Sequence, residues 1–177
     1  MSPAAVKRVN MLSETETMSC KKICASGLIM LWVSVLVLLL DRFSKTWVMH
    51  HLGFHEPMTI FPFFDLTLTF NTGAAFSFLD GASGWQNWFL GGLALTVSVI
   101  VLVWLSRLSR REYVMAAGLC LILGGALGNL WDRLLYGSVV DLLSFHWSGW
   151  YFAIFNVADS AICAGAFLVF CCWVRKK

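Results

Sequence analysis

Two aspartates in the second half of the chain have the chemistry needed for general acid–base catalysis. Asp141 lies inside the apolar run 139–143, and Asp159 lies near the start of a long segment with no other charge. If the two carboxylates meet where water is scarce, they cannot both ionise cheaply, so one keeps its proton near neutral pH. The ionised carboxylate can then activate water while the protonated one polarises a peptide carbonyl. The sequence therefore offers a pair for amide hydrolysis, but it does not show that they meet.

Asp159 also fits a structural role. Asn156 and Asp159 stand at the start of an apolar run, where an acidic side chain interacts favourably with the helix dipole. An ionisable residue at the edge of a membrane span is, equally, a candidate functional group. The sequence leaves helix capping and function open for this residue.

Other polar residues cluster at the ends of two apolar segments. Asn129, Asp132 and Arg133 are spaced i, i+3 and i+4, so they project from one helix face. Asp41 and Lys45 share a face in the same way, four residues apart. From the spacing alone, the simplest interpretation of Asp41, Lys45, Asp132 and Arg133 is ion pairs that tie helix ends together.

Other catalytic patterns are absent from the sequence or badly spaced. It contains no HExxH, Walker or GxGxxG motif, and Ser44 and Lys45 are adjacent, so they point apart on a helix. His50, His51 and His55 are more typical of an interfacial surface than of a metal site. We expect no metal, no cofactor and no nucleic-acid partner.

The composition requires lipid around much of the chain. Hydrophobic residues make up 59% and charged residues 13% of the 177 residues, and the mean hydropathy is +0.75. We predict a leader at 1–22 and a single domain at 23–177 with four spans. Within the third span, Gly124 and Gly128 have the spacing that lets helices approach closely. The predicted spans are about 23–41, 88–105, 113–132 and 152–174.

The charges predict the orientation of these spans. With the N-terminus in the cytoplasm, ten of the thirteen basic residues fall on the inner side, so the positive-inside rule places both termini there. All six aspartates then lie at or beyond the outer face. The outer loops are 42–87 and 133–151. In the first, 65–71 alternates apolar and polar residues before a turn at 71–73, which predicts a half-buried strand. The predicted fold is an all-α membrane protein with four transmembrane helices, both termini inside, and a small extracytoplasmic β-rich segment in the first outer loop.

Five blocks, in order along the chain, resemble the motifs of bacterial lipoprotein signal peptidase, also called signal peptidase II. The blocks begin with an Asp-Arg-Phe-Ser-Lys segment and end with an Asn-Val-Ala-Asp segment. Together they run from the first span to the last, and only the first twenty or so residues fall outside the resemblance. The matching segments are 41–45, 70–78, 124–133, 139–141 and 155–160.

The resemblance implies an aspartic endopeptidase of the bacterial inner membrane, with its active site at the periplasmic face. Such an enzyme cuts prolipoproteins before the diacylglyceryl-modified cysteine and releases the signal peptide, in contact with membrane lipid, and it binds globomycin-type inhibitors. The matching motifs imply that Asp141 and Asp159 are catalytic. They imply that Asn71, Gly73, Asn129, Arg133 and Asn156 shape the site or hold substrate, and that Asp41, Lys45 and Asp132 are structural.

Two other classes of function compete with this one. A proton-coupled transporter would use the intramembrane acids as a relay. The acids, however, lie towards one face and leave the inner half of every span without a carboxylate. A relay would therefore have no carboxylate to carry the proton across that half. A scaffold whose outer loops bind a partner is the second alternative.

Overall fold

Four long helices dominate the computed structural model, which describes residues 26–73 and 84–175. The predicted leader, Asp80 and the 74–78 part of the second family-like block lie outside the described residues. All four helices are long and apolar enough to cross a membrane, which confirms the four-span prediction. Their bounds are Leu31–His51 (α1, preceded by a 3-10 turn at Gly27–Met30), Trp85–Arg107 (α2), Tyr113–Tyr136 (α3) and Val157–Val174 (α4).

The helix ends differ from the predicted span ends because charged residues do not stop these helices. Helix α1 continues past Asp41 to His51, and α3 continues past Asp132 to Tyr136. The charges at those places are paired inside the bundle, so the helical backbone carries on through them. Helix α3 stops at Gly137, whose φ of 70° suits a left-handed C-terminal cap.

A four-stranded antiparallel sheet lies beside one end of the bundle, in the order β1-β2-β3-β4. The strands are Pro57–Phe61 (β1), Phe64–Asn71 (β2), Val139–Trp147 (β3) and Trp150–Tyr151 (β4). Strand β2 matches the alternating segment 65–71, which confirms that prediction.

The sheet corrects the prediction in one respect, because β3 and β4 come from segment 133–151 and not from the first loop. The fold is therefore four helices plus a sheet built from two loops, not an all-α bundle with one β-rich loop. Residues Val139–Leu142 of β3 are all buried, so this strand is covered on both faces and lacks the two-residue alternation that marks a half-buried strand. Segment 152–156, predicted as part of the fourth span, precedes α4, which begins after Asn156.

Helix α3 is the central helix of the bundle. Its apolar window is 61% buried, against 17–22% for those of the other three helices. Small residues allow its neighbours to come close. A Cβ on Gly124 would lie 2.8 Å from the Cβ of Val37 in α1, and one on Gly125 would collide with the Ala158 carbonyl in α4. The glycine spacing from which close helix approach was predicted thus lies where α3 contacts α1.

The sheet is fixed to the end of α1 by a small apolar core. Val48 of α1 packs with Leu68 of β2 and with Val140 and Leu142 of β3, and all four are buried. Register places Asn71 opposite Val139 and Thr69 opposite Asp141. The strand that carries Asp141 is thereby held against the helices.

Replacing Gly124 with alanine should destabilise the bundle, because the new methyl group meets Val37 and the Ser34 carbonyl at under 3 Å. Overpacking of this kind costs about 1–3 kcal/mol. Gly92→Ala in α2 is the matched control, since a Cβ there has nothing within 4 Å. We expect a lower thermal midpoint in detergent for Gly124→Ala only. Equal midpoints for the two variants would contradict the close contact of α1 and α3.

Candidate active site

Asp141 is a buried carboxylate with amide donors on both oxygens. It lies in β3 with 2% of its surface exposed. Asn156 donates its Nδ2 to Asp141 Oδ1 at 2.7 Å, and Asn71 donates its Nδ2 to Asp141 Oδ2 at 3.0 Å. The Asn71 side chain is held in turn by the amide of Gly73, which donates to its Oδ1 at 3.0 Å.

Asp159 caps a helix and also faces the region of Asp141, so of the two interpretations that the sequence left open the structure shows the capping role and leaves room for the functional one. Asn156 Oδ1 accepts from the Asp159 amide at 2.9 Å, and Asp159 Oδ2 accepts from the Asn156 amide at 3.3 Å, which together form a capping box at the start of α4. The second oxygen, Oδ1, accepts from Asn129 Nδ2 at 2.7 Å. Asp159 is half-buried.

Two asparagines connect the carboxylates. Asn156 Nδ2 donates both to Asp141 Oδ1 and, at 3.2 Å, to Asn129 Oδ1. Since Asn129 donates to Asp159, one continuous hydrogen-bond network runs from Asp141 through Asn156 and Asn129 to Asp159. The sequence could not show this meeting, because it joins a strand, the end of α3 and the start of α4.

The carboxylates open into a cavity of about 500 Å³ between the sheet and the helices. Four of the predicted site residues, Asn71, Gly73, Asn129 and Arg133, line it together with Asp141 and Asp159. Asn156, the fifth predicted site residue, is fully buried and holds both aspartates from behind. The apolar wall could not be found from the sequence, because its residues carry no chemical signature, even where they lie inside the family-like segments 139–141 and 155–160. That wall includes Val139, Phe152, Ile154, Phe155 and Ile162.

Arg133 supplies a positive charge beside the two carboxylates. Its Nη2 donates to the Gly73 carbonyl at 3.2 Å and its Nη1 to the Asn129 carbonyl at 3.3 Å. The guanidinium interacts electrostatically with both Asp141 and Asp159. Among the described residues its buried Nε has no hydrogen-bond partner. The cavity therefore combines two acids, amide donors and one cation, a set suited to binding and hydrolysing an amide.

Comparisons with known proteins identify the family. The sequence pattern of Signal peptidase (SPase) II matches residues 33–175. The chain is 48% identical over 149 residues to the lipoprotein signal peptidase of Yersinia enterocolitica serotype O:8 / biotype 1B, which covers 84% of this chain and 88% of the relative. The lipoprotein signal peptidase of Yersinia pestis (strain Pestoides F) is 49% identical with the same coverage. The chain belongs to the signal peptidase II family.

Solved structures agree with that assignment. A bacterial membrane enzyme solved by the in meso method at 2.3 Å resolution superposes with a TM-score of 0.75 at 26% identity, over 83% of this chain and 88% of that one. A second, at 1.9 Å resolution, gives 0.74 at 25% identity, over 84% and 94%. The resemblance seen in the sequence is confirmed, and signal peptidase II membership makes the chain a peptidase of the aspartic type.

In this signal peptidase II, the residues predicted to be structural form one ion cluster. Lys45 Nζ lies 2.7 Å from Asp41 Oδ2 and 2.8 Å from Asp132 Oδ2, with none of these side chains exposed. Arg42, which the sequence analysis did not single out, contacts Asp132 Oδ1 at 2.8 Å. Backbone amides of the site elements also donate to the cluster: Ala158 donates to Asp41 Oδ1, and Val140 donates to Asp132 Oδ2, the oxygen that also faces Lys45.

The surroundings of Asp141 change its protonation. Burial, and after it the nearby charge of Asp159, raises the pKa of Asp141 from 3.8 to about 6. Hydrogen bonds from Asn71 and Asn156, and the charge of Lys45, act in the opposite direction. A carboxyl group in this state can hold or release a proton close to neutral pH.

The raised pKa predicts a pH-dependent stability difference between the wild type and Asp141→Asn. A carboxyl whose folded pKa lies above its unfolded pKa stabilises the fold below pH 3.8 and loses that contribution as the pH rises through about 6. The asparagine has no charge to bury, so the variant should gain stability relative to the wild type from pH 4 to pH 7. One pKa unit corresponds to ~1.36 kcal/mol, so the gain approaches about 3 kcal/mol. Thermal midpoints across this pH range measure it, and a constant difference would contradict a raised pKa.

Proposed function

We propose that Asp141 and Asp159 are the catalytic pair of a lipoprotein signal peptidase. The bond cut is the one preceding the diacylglyceryl-modified cysteine of a prolipoprotein, and the product released is the signal peptide. One observation carries this proposal: both carboxylates line a single cavity and are joined by the amides of Asn129 and Asn156. The Yersinia relatives are lipoprotein signal peptidases, which supports the substrate class.

The environments of the two aspartates divide the work between them. Asp141 is the more deeply buried and its raised pKa suits it to hold the shared proton and donate it to the scissile carbonyl. Asp159 lies at the N-terminus of α4, where the helix dipole stabilises a negative charge, so it suits the role of the base that takes a proton from water. The hydroxyl adds to the carbonyl carbon, and collapse of the tetrahedral intermediate passes a proton to the departing amine.

The cationic and amide groups around the pair fit substrate binding. Arg133 has a buried N–H with no partner among the described residues, and it lies at the wall of the cavity. We assign it to a carbonyl of the bound peptide, with Asn71 and Gly73 shaping the adjoining wall. A globomycin-type inhibitor would occupy the same cavity.

The site belongs, in this proposal, at the extracytoplasmic face of the bacterial inner membrane. Ten of the thirteen basic residues lie in the segments assigned to the cytoplasm, which supports both termini inside. The sheet, the ion cluster and both aspartates lie together at the opposite end of the bundle. A diacylated cysteine keeps its acyl chains in the membrane, so a cavity at that level meets the scissile bond without extracting the lipid.

Replacing either catalytic aspartate with asparagine should abolish cleavage, since the reaction needs one carboxylate to activate water and the other to donate a proton. We expect losses of at least ~100-fold in kcat with purified enzyme and a diacylated precursor. The matched control is Asp65→Asn, which removes an aspartate that is also buried but pairs with His146 at 3.0 Å. Near wild-type cleavage by folded Asp159→Asn would disprove the pair.

The orientation predicts which engineered cysteines react from outside the cell. Glu56, beside β1, and Arg110, between α2 and α3, are both exposed and lie at opposite ends of the bundle. In intact spheroplasts, a membrane-impermeant maleimide should label Glu56→Cys above the level of the unsubstituted protein. Arg110→Cys should gain label only after the membrane is permeabilised. The reverse pattern would invert the topology.

A further inference from the structure

The ammonium of Lys45 is connected directly to the catalytic network, although its sequence motif indicates only a structural role. Besides the contacts with Asp41 and Asp132, Lys45 Nζ donates to Asn129 Oδ1 at 3.2 Å. An ammonium has three N–H donors and no acceptor, and each donor here has an oxygen within reach. One of the three contacts of the ammonium is therefore to an amide that touches Asp159.

This contact determines which end of the Asn129 amide meets Asp159. Only the oxygen of an amide can accept from an ammonium, so Lys45 holds Oδ1 on its own side and directs Nδ2 away. Nδ2 then donates to Asp159 Oδ1 at 2.7 Å, the shortest of the side-chain contacts of Asn129. In a site that is poor in water, a chain of hydrogen bonds that begins at a cation polarises each following bond.

We propose that Lys45 is a positioning residue for the reaction and acts through Asn129 on Asp159. This inference rests on the proposed function, since it assumes that Asp159 is a catalytic carboxylate. Lys45 makes no hydrogen bond to either catalytic aspartate, so it acts on Asp159 through Asn129 and on Asp141 through its charge. The position of the Asp159 side chain and the charge felt by the pair both depend on it.

Two double variants separate this role from simple loss of the ion cluster. Asp41→Asn/Lys45→Met removes the cation that contacts Asn129 and leaves the ion pair of Arg42 and Asp132, whose net charge is zero. Arg42→Met/Asp132→Asn removes an equal number of charges but keeps Lys45 paired with Asp41. The retained amide oxygens can still accept from Ala158 in the first variant and from Val140 in the second. The variants are thus matched in charge and differ in whether Asn129 keeps its cation.

The variant without Lys45 should lose kcat by roughly 10- to 100-fold, as expected for a misplaced catalytic group, with KM little changed. The control that keeps Lys45 should retain kcat within a few-fold. Both are measured with purified protein and a diacylated precursor, alongside thermal midpoints. Equal kcat values for the two folded variants would overturn the proposal. If the first variant yields too little folded enzyme, Asp41→Asn/Lys45→Gln takes its place under the same criterion.

The pH profile gives a readout that a merely structural lysine would not move. The charged groups that face Asp141 are Asp159 from α4, Lys45 from α1 and Arg133 from α3. Because the charge of Lys45 lowers the pKa of Asp141, removing it should move the alkaline limb of kcat/KM to higher pH, while the limb of the control stays in place. An unmoved limb in the Lys45 variant would count against the proposal.

A double-mutant cycle tests whether the effect passes through Asn129. In an Asn129→Ala background, the Asp41→Asn/Lys45→Met change should cause little further loss of kcat, because the connection from Lys45 to Asp159 is already broken. Fully additive losses would show that Lys45 acts by another route. Failure of the proposed function is distinguishable, because in that case Asp141→Asn and Asp159→Asn in the wild-type background would retain cleavage.

Discussion

The ammonium of Lys45 lies inside the protein between the carboxylates of Asp41 and Asp132, and none of these three side chains is exposed. Removing such charges from water is costly unless each is paired and its remaining hydrogen-bonding groups are satisfied. The protein meets that condition by using its own backbone. Asp41 accepts from the Ala158 amide at the start of α4, and Asp132 accepts from the Val140 amide in β3. The ion cluster therefore fixes where α4 begins and where β3 passes, and these are the two elements that carry the proposed catalytic carboxylates.

The amide network follows from the same constraint. Asn129 lies between the cluster and Asp159, and Asn156 lies between Asn129 and Asp141. Hydrogen bonds therefore run without a break from the Lys45 ammonium to the two carboxylates at the cavity. Partly satisfied networks are unfavourable in a poorly hydrated interior, so the geometry is restricted to few arrangements. Asparagine suits these positions because it donates and accepts at once and carries no charge of its own. The result is a pair of acids joined by neutral amides, with the cation of Lys45 at one end of the amide network and that of Arg133 at the wall of the cavity.

Stability and chemistry oppose each other at Asp141. Burial, together with the charge of Asp159, destabilises the ionised form of this carboxyl and thereby raises its pKa to about 6. A peptide bond in a lipidated substrate needs a proton donor that is available at such a pH. The close helix contacts through Gly124 and Gly125 contribute packing that offsets this cost, since α3 touches α1 and α4 almost backbone to backbone.

The sequence by itself determined the four spans, strand β2, the close-approach glycines and the identity of the two aspartates, three asparagines and one arginine later found at the site. The spans, the strand and the glycines follow from hydrophobicity, alternation and spacing, which are local properties, and the site residues follow from the resemblance of their motifs to those of a known family. The helix ends at His51 and Tyr136 did not follow, because a charged residue ends an apolar run in sequence but not a helix whose charges are paired in space. Strand β3 was missed because a strand buried on both faces has no alternation. The meeting of Asp141 with Asp159 joins a strand to a helix end across Asn156 and Asn129. Only the tertiary structure decided it, because hydrogen-bond partners distant in sequence are selected by packing and not by the residues beside them.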